Sequence, residues 1–289
     1  MLDYREIRPR APVSHFVECF WTLTGALPAA APPERILPDG SMELVLNCAA
    51  PFRRYHARGV FERQPLRMLV GQMDRHILIA STGRVDLIGV RFHPSGARAF
   101  LRPPMEEFAG RILPLADAAP SLDAELTQAL DAPPSARIAR IEALLMRRIA
   151  GAASDTGVVD AAVRSMLARD GRVSVDALAG AAGLSPRQLE RRFLHAVGLG
   201  PKRLARILRF QRVFRAVAAE PASGNGMAAR PNWAAVAVDC GYYDQAHLIR
   251  DFHAFAGEAP AALFSAQAAL THHFTRRHRA ASLFSNTLA

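Results

Sequence analysis

The sequence lacks several features that mark common classes of protein. No apolar run approaches the ~20 residues that a membrane-spanning helix needs. The N-terminus begins Met1-Leu-Asp-Tyr-Arg, which is charged and has no apolar stretch of the kind found in secretory signals. The three cysteines, Cys19, Cys48 and Cys240, are odd in number and far apart, which predicts neither a disulfide framework nor a zinc site. We therefore expect a soluble protein of a reducing compartment that has no membrane partner.

Sequence motifs of catalysis are also missing. The histidines of the first half, His15, His56, His76 and His93, form no H-x-H or H-x-x-x-H pair with a nearby carboxylate. The chain has no Gly-rich phosphate loop, no G-x-S-x-G elbow and no paired-carboxylate pattern. We therefore expect no catalytic residues, no metal site and no cofactor, although catalytic residues that are distant in sequence would leave no motif.

What the chain does contain is enough apolar material for two domains. Its 289 residues exceed one ordinary domain, and the 50% of apolar residues excludes wholesale disorder. The net charge of +10 is uneven, because residues 171–289 hold 15 Lys+Arg and 7 Asp+Glu whereas residues 1–170 hold 21 and 19. A basic region beside a nearly neutral one indicates a polyanionic partner, with a solvated surface and a basic tail as the alternative.

The first half is predicted to form a β-barrel-like unit with a helical appendix. Short β-rich runs separated by turn residues fill the chain to about residue 92: Phe16–Leu23, Met42–Asn47, Leu66–Val70, His76–Ala80 and Val85–Phe92. Such a series favours an antiparallel sandwich or a small barrel. After Pro94 the pattern becomes helical, with Ser121 as the expected cap of a helix that runs to Leu130. Gly151–Gly157 is the expected linker between the domains.

The second half is predicted to be helical and begins with a strong local motif. A helix of about Val175–Ala182, with Ser174 as its cap, is followed by Gly183 and a second start signal. In that signal Ser185 is a good N-cap, Pro186 suits the first helical position and Gln188 completes a capping box. A helix, a tight turn with glycine and a firmly capped helix are typical of the helix-turn-helix motif.

The same design recurs 59 residues later, with Asp244 in the place of Ser185. Five positions counted from each cap coincide: Leu189 and Leu248, Arg191 and Arg250, Phe193 and Phe252, Gly198 and Gly257, and Pro201 and Pro260. A predicted helix at Trp233–Cys240 precedes the second cap, as Val175–Ala182 precedes the first. The sequence therefore predicts two helix-turn-helix units in tandem.

Helical periodicity divides each capped helix into a buried face and an outer face. At ~100° per residue, the paired leucines and phenylalanines share the inner face. The candidate DNA contacts lie on the outer face and at the capped ends: Pro186, Arg187, Gln188, Glu190 and Arg191 in the first unit, and Gln245, Ala246, His247, Ile249 and Arg250 in the second. Arginine can read guanine, glutamate can accept from cytosine, and alanine or isoleucine can meet a thymine methyl group. A solvated surface is the alternative for each charge taken alone.

The segment Lys202–Ala219 between the units is predicted to be a linker helix with apolar faces and five arginines. A straight helix of about 18 residues spans ~27 Å. Two recognition helices in adjacent major grooves on one face of DNA lie ~34 Å apart. The segment therefore has a suitable length to set that distance.

The stretch Ser174–Pro260 resembles the double helix-turn-helix domain of AraC/XylS-type bacterial transcription regulators. The resemblance rests on Leu178-Ala179, Gly183-Leu184-Ser185, Leu189-x-Arg191-x-Phe193 and Gly198-x-x-Pro201, and on Val236-Ala237, Cys240-Gly241-Tyr242, Asp244-Gln245-Ala246-His247-Leu248, Arg250-x-Phe252 and Gly257-x-x-Pro260. The connection Ala219–Asn232 is longer than the short turn that is usual in the family. Less specifically, the first half is similar to the cupin-like N-terminal domain of some members, through Phe16–Leu23, Leu37-Pro-Asp-Gly40, Glu43-Leu-Val-Leu46 and Phe92-x-Pro94-x-Gly96-Ala97.

The resemblance implies an α+β protein of two domains. Residues 1–150 are expected to form a cupin-like regulatory, effector or dimerisation domain with a helical appendix. Residues 158–268 are expected to form an all-α double helix-turn-helix domain that binds DNA. Residues 269–289 are expected to be a basic, disordered tail.

The function that the resemblance implies is sequence-specific regulation of transcription, by activation if the chain follows the family's commoner mode. The implied partners are double-stranded promoter DNA and RNA polymerase, while a small-molecule effector and a homodimer are left open. The implied location is the bacterial cytoplasm, in association with the nucleoid.

Two other functions are weighed against this one. One is an enzyme or metabolite sensor in the first half that the second half tethers to DNA, and the missing metal and nucleophile motifs argue against it. The other is an architectural binder without promoter specificity, and the varied polar outer faces argue against that.

Overall fold

The fold combines a β-rich first part with a helical second part, as the sequence predicts. The computed structural model describes residues 2–27, 32–56, 59–149, 157–219 and 231–265. The strands within these ranges are β1 Leu2–Ile7, β2 Val17–Ala26, β3 Glu34–Ile36, β4 Glu43–Asn47, β5 Arg53–Tyr55, β6 Phe61–Arg63, β7 Arg67–Val70, β8 Ile77–Ala80, β9 Arg84–Phe92 and β10 Ile112–Pro114. Residues 151–156 of the predicted linker Gly151–Gly157, most of the long connection after residue 219 and the tail 269–289 lie outside the described residues. The last residue of the predicted linker, Gly157, begins a helix instead.

The strands form two antiparallel sheets. The larger sheet has the order β1-β2-β9-β4-β7-β10 and the smaller one the order β3-β8-β5-β6. The long strands β2 and β9 pair along most of their length, from Val17 opposite Phe92 to Ala26 opposite Arg84. Period-two alternation sends one set of their side chains toward the small sheet and the other set toward helices. The central strands β2, β9 and β4 of the large sheet are therefore buried on both faces.

The layer between the sheets shows why β9 has a glycine at its centre. Trp21 of β2 is buried in the apolar cluster between the sheets, together with Val45, Leu87 and Ile79 from other strands. The indole of Trp21 occupies the space that a Cβ atom would take at Gly89. Any larger residue at Gly89 would have to displace a buried ring, which is costly in a close-packed core.

Helices cover the other face of the large sheet. They are α1 Leu115–Ala118, α2 Pro120–Leu130 and α3 Pro134–Ile149, and their buried leucines and isoleucines join the same apolar cluster as Phe20, Leu44 and Val90 of the sheet. The prediction that Ser121 caps α2 is wrong, because the helix starts at Pro120 with Ala119 as its N-cap. Proline has a φ angle that already suits the first helical position. Arg148 instead donates to the Ser121 hydroxyl at 3.0 Å.

The second part is built from helices that form two apolar clusters. The helices are α4 Gly157–Ala168, α5 Val175–Ala181, α6 Pro186–Val197, α7 Pro201–Ala219, α8 Trp233–Asp239, α9 Gln245–Ala256 and α10 Pro260–Ser265. One cluster joins α4, α5 and α6, the other joins α8, α9 and α10, and α7 contributes side chains to both. The tandem arrangement predicted from the repeat is thus present, with α7 as the shared element. Among the described helices, none combines the length and the apolar character needed to cross a membrane.

Candidate DNA-binding surface

The first recognition helix, α6, has the start signals that its sequence predicts. The Ser185 hydroxyl accepts from the backbone N–H of Gln188 at 3.3 Å, and the Gln188 side-chain oxygen accepts from the backbone N–H of Ser185 at 2.9 Å. This reciprocal pair fixes the point at which the chain enters the helix. The inner residues Leu189 and Phe193 are fully buried, so the opposite face of α6 must point away from the core.

The outer face of α6 carries positive charge to solvent. Arg187, Gln188 and Arg191 are exposed, and among the described residues neither guanidinium has an ion-pair partner. Glu190 is also exposed, but its carboxylate lies against Gly200 at the start of α7. The start of α7 is the positive end of its helix dipole, so a carboxylate beside it is stabilising. The two arginines are therefore the side chains of this face that are most available to a polyanion.

The second recognition helix, α9, repeats this construction with other side chains. The Asp244 carboxylate accepts from the backbone N–H of His247 at 2.6 Å, and Leu248 and Phe252 are fully buried. The predicted contact residues separate into an exposed group of Gln245, Ala246 and Arg250 and a half-buried group of His247 and Ile249. The His247 ring packs edge-on against Tyr242 at 5.2 Å between centroids.

The arginines of α7 do not form a free positive surface, because each one is used inside the protein. Arg203 binds Asp74 of the first part and Arg206 binds Asp251 of α9, at 3.0 and 2.6 Å. Arg209 donates to the carbonyl of Gly171 at 3.2 Å. Arg212 binds Asp170 at 2.6 Å and Asp239 at 3.2 Å, and Arg215 binds Asp170 at 2.5 Å.

These contacts attach both helix-turn-helix units to one helix. Asp170 lies just after α4 of the first unit, whereas Asp239 and Asp251 belong to α8 and α9 of the second. Although burial alone would raise the pKa of Asp170, hydrogen bonds from Arg215 and Arg212 hold it below its ordinary value. The carboxylate therefore stays charged and the attachment persists at neutral pH.

Two family models match the chain, and one of them covers this surface. Residues 178–266 match a family described as a helix-turn-helix domain. The match spans both capped helices and the α7 helix that joins them.

Residues 178–266 therefore form an AraC-type helix-turn-helix domain, and the chain is a transcription regulator.

The other comparisons, including the one that covers the β-rich part of the regulator, say less about function. Residues 5–114 match a family described as a domain of unknown function (DUF6597). No curated protein matches the regulator. Solved structures that are similar to it include ToxT from Vibrio cholerae in an apo variant, with a TM-score of 0.44 and 11% identity over 85% of this chain and 97% of that one. ToxT bound to (E)-4-(8-methylnaphthalen-1-yl)but-3-enoic acid has a TM-score of 0.46 and 8% identity over 85% and 98%.

The β-rich part of the regulator packs on the far ends of both recognition helices. Gly198, which ends α6 with φ 87°, lies against the backbone carbonyl of Met105, and Gly257, which ends α9 with φ 79°, lies against the ring of His76. A left-handed backbone favours glycine at both places, and so does the close neighbour. The two units are thus contacted at equivalent positions, and the capped ends of the recognition helices stay open.

Polar contacts reinforce this packing along α7 and α9. Gln211 donates to the carbonyl of Pro38 at 2.6 Å, the backbone N–H of His76 donates to the carbonyl of Phe255 at 2.7 Å, and Arg35 binds Glu258 at 2.8 Å. Leu37 is buried in the apolar cluster of the second unit. The first part of the regulator therefore completes the core that holds α9.

Further polar contacts reach α4, the first helix of the second part. Its Asp160 accepts from the Ser95 hydroxyl at 2.6 Å and from Arg98 at 2.9 Å. Sequence reasoning missed all of these contacts, because their partners are far apart in the chain. Tyr243, an exposed residue in the turn before α9, was not among the predicted contact residues.

Proposed function

We propose that this regulator binds promoter DNA with α6 in one major groove and α9 in the next. The proposed contacts are Pro186, Arg187, Gln188, Glu190 and Arg191 in the first unit, and Gln245, Ala246, His247, Ile249 and Arg250 in the second. The supporting observation is the contrast between the arginines of α7, which bind partners within the protein, and Arg187, Arg191 and Arg250, which are exposed without an ion-pair partner among the described residues. Exposed arginines on a capped recognition helix suit both phosphates and guanine edges.

The length of α7 supports a two-groove arrangement. Its 19 residues rise ~28 Å, close to the ~34 Å between successive major grooves on one face of DNA. Because ion pairs hold α7 to both units, the spacing between α6 and α9 is built into the protein. A fixed spacing favours DNA whose two half-sites are one helical turn apart.

The two parts of the chain are proposed to have separate roles. We assign residues 1–150 to a regulatory, effector or dimerisation domain, residues 158–268 to DNA binding and residues 269–289 to a basic tail. The first domain contacts α7 and the far ends of α6 and α9. A ligand or a dimer contact that moves this domain would therefore also change the positions of both recognition helices. On this basis we propose a small-molecule effector and a homodimer as its regulatory inputs.

The remaining functional assignments follow from the type of regulator. We propose that it activates transcription through contact with RNA polymerase, that it has no catalytic activity, and that it acts in the bacterial cytoplasm at the nucleoid. The lack of a catalytic motif in the sequence supports the second of these assignments.

Footprinting on DNA upstream of the protein's own gene tests the proposal, with and without a metabolite extract. We expect two protected stretches about 10–10.5 base pairs apart, centre to centre, because α6 and α9 occupy successive grooves. We expect the extract to change the occupancy if the first domain binds an effector. Uniform protection of any DNA would indicate an architectural binder, and no protection of any DNA would contradict the proposed function.

A fragment of residues 155–289 tests the division of roles. It holds both recognition helices and, apart from Leu37, the apolar clusters of both units. We therefore expect it to be helical and to bind DNA in a salt-sensitive way. We expect lower stability than in the full chain, because the fragment lacks Leu37 and the contacts from His76 and Arg35. A soluble, helical fragment without salt-sensitive DNA binding would contradict the assignment.

A further inference from the structure

The turns of the two helix-turn-helix units differ by one residue. The backbone N–H of Leu184 donates to the carbonyl of Ala179 at 2.9 Å, and that of Tyr242 donates to the carbonyl of Ala237, also at 2.9 Å. Leu184 and Tyr242 therefore occupy equivalent places. In the first unit the cap residue follows immediately, but in the second unit Tyr243 stands before the cap. Tyr243 is thus an addition to the second turn.

The extra residue has no structural partner in the part of the chain that the structure describes. Leu184 packs against the core of its unit, and Tyr242 does the same with 4% of its surface exposed. Tyr243 is 90% exposed, and within the described ranges its hydroxyl has no hydrogen-bond partner. A residue before a helix cap often packs on the fourth helical residue, but here that residue, Leu248, is fully covered by the core. The described part of the fold therefore leaves the Tyr243 ring exposed to solvent.

The position of Tyr243 is at the end of α9 that approaches DNA. It precedes the cap residue Asp244, and the next two residues, Gln245 and Ala246, are exposed on the proposed contact surface. Recognition helices contact bases with their N-terminal residues, so a side chain just before the cap meets the sugar-phosphate backbone beside the groove. Tyrosine is a common donor to phosphate oxygens, and its ring offers a rigid apolar surface.

The N-terminal end of α9 has little positive charge, so an uncharged hydrogen-bond donor there can supply a phosphate contact. The helix α6 has three exposed arginines, Arg187, Arg191 and Arg192, whereas α9 has only Arg250 among its residues. The Asp244 carboxylate, which caps the helix, adds a negative charge next to the backbone of DNA. A phenol hydroxyl can donate to a phosphate without a positive charge of its own.

We propose that Tyr243 is a further DNA-contact residue of the second unit. Its hydroxyl donates a hydrogen bond to a backbone phosphate beside the groove that α9 enters, and its ring packs on the adjoining deoxyribose. The contact adds affinity without base identity, and it releases no counterion. The inference rests on the proposed function, since it needs α9 to bind in a groove.

The test uses the full chain and a DNA site that the wild-type protein selects from a random-sequence library. We compare Tyr243→Ala and Tyr243→Phe with wild type, and Phe61→Ala serves as the control because Phe61 is an exposed aromatic residue of β6 at 47% exposure. We expect Tyr243→Ala to weaken binding about three- to tenfold, which is ~0.7–1.4 kcal/mol. We expect Tyr243→Phe to lose part of that affinity and Phe61→Ala to bind like wild type.

Two further readouts separate a phosphate contact from a structural role. Ethylation interference should lose one phosphate under the second unit in both tyrosine variants, and the slope of log affinity against log salt should stay at the wild-type value because the lost group is neutral. Wild-type affinity together with a wild-type interference pattern would overturn the inference and leave the proposed function intact. Wild-type protein that selects no DNA would overturn both. If Tyr243→Ala fails to fold, the interference pattern of Tyr243→Phe decides.

Discussion

The two helix-turn-helix units have the same skeleton but different outer faces. In both, a polar cap begins the recognition helix, a leucine and a phenylalanine are fully buried, and a left-handed glycine ends the helix against the β-rich first part. On the outside, α6 presents several exposed arginines, whereas α9 presents Gln245, Ala246, a half-buried Ile249 and one arginine. Folding requires the shared skeleton, whereas the outer faces differ, and it is these faces that we propose select the DNA that is bound.

The buried phenylalanines give the largest expected effect, and they test whether the skeletons are equivalent. Phe193→Ala and Phe252→Ala each remove a fully buried ring, so we expect each to lower the free energy of unfolding by about 3–5 kcal/mol. Phe252 should be at the upper end, because it packs against Phe210 at 4.8 Å between ring centroids and against Phe214 at 5.9 Å. Urea unfolding followed by circular dichroism measures both values. A loss below 1 kcal/mol in either variant would contradict the equivalence.

The seventh position after each cap should show the next largest effect, as a difference between the two units in the loss of unfolding free energy. In α9 this residue is Asp251, which is 1% exposed and binds Arg206, whereas in α6 it is the exposed Arg192. Asp251→Asn removes the charge that Arg206 needs, so we expect a loss of about 2–3 kcal/mol in unfolding free energy. The matched variant Arg192→Gln should change it by less than about 0.5 kcal/mol. Equal effects in the two variants would show that the Arg206 contact does not hold α9 to α7.

Arg191 on α6 and Arg250 on α9 should make different kinds of contact with DNA. Arg191→Ala is expected to weaken specific binding by ~1–3 kcal/mol and to relax base preference at one position. Arg250→Ala is expected to weaken binding to all sequences alike and to reduce the salt slope by about one, if Arg250 binds phosphate. Binding measured on a set of single-base variants of the selected site, at several salt concentrations, checks both. Base-substitution profiles that are identical for Arg191→Ala and wild type would contradict direct readout by Arg191.

The smallest expected effect is a response of the second unit to acid. Burial lowers the pKa of His76, and the charge of Arg35 adds to this, so the folded state binds a proton at His76 less readily than the unfolded chain does. Stability should therefore fall as the pH drops from about 6.5 toward the lowered pKa of the folded state. The contact of Gly198 with the Met105 carbonyl has no such group. We expect His76→Gln to flatten the stability–pH curve in this range, and an unchanged curve would contradict the assignment.

Local signals in the sequence predicted much of the second part and less of the first. The caps Ser174, Ser185 and Asp244 were predicted from side chains that bond to backbone two or three residues away, and all three are confirmed. The five predicted strands are also confirmed as β2, β4, β7, β8 and β9, with small shifts at their ends. The strands that sequence reasoning missed include β3, β5 and β6, which are three residues long and rich in arginine and glutamate, so they have no run of apolar residues to detect.

Long-range contacts are the part of the site that the sequence did not predict. In the sequence, the five arginines of α7 were interpreted as positive charges on the surface of a linker helix. In the structure, Arg206 binds Asp251, 45 residues away, and Arg203 binds Asp74, 129 residues away. Such pairs depend on how helices pack, and a local pattern carries no information about that. The exposed arginines of α6 and α9 remain predicted DNA contacts, and which bases they meet depends on the outer faces alone.

A binding selection in which each half-site is randomised separately tests the inequality of the two units most directly. The full-length protein is used, with the half-site under one unit fixed while the other is randomised. We expect the polar set on α6 to penalise a wrong base through directional hydrogen bonds, and the more apolar set on α9 to discriminate by shape and methyl contact. We predict a sharp base preference under the first unit and a weak one under the second. An equally sharp or sharper preference under the second unit, with Gln245 or His247 reaching base edges, would contradict the account.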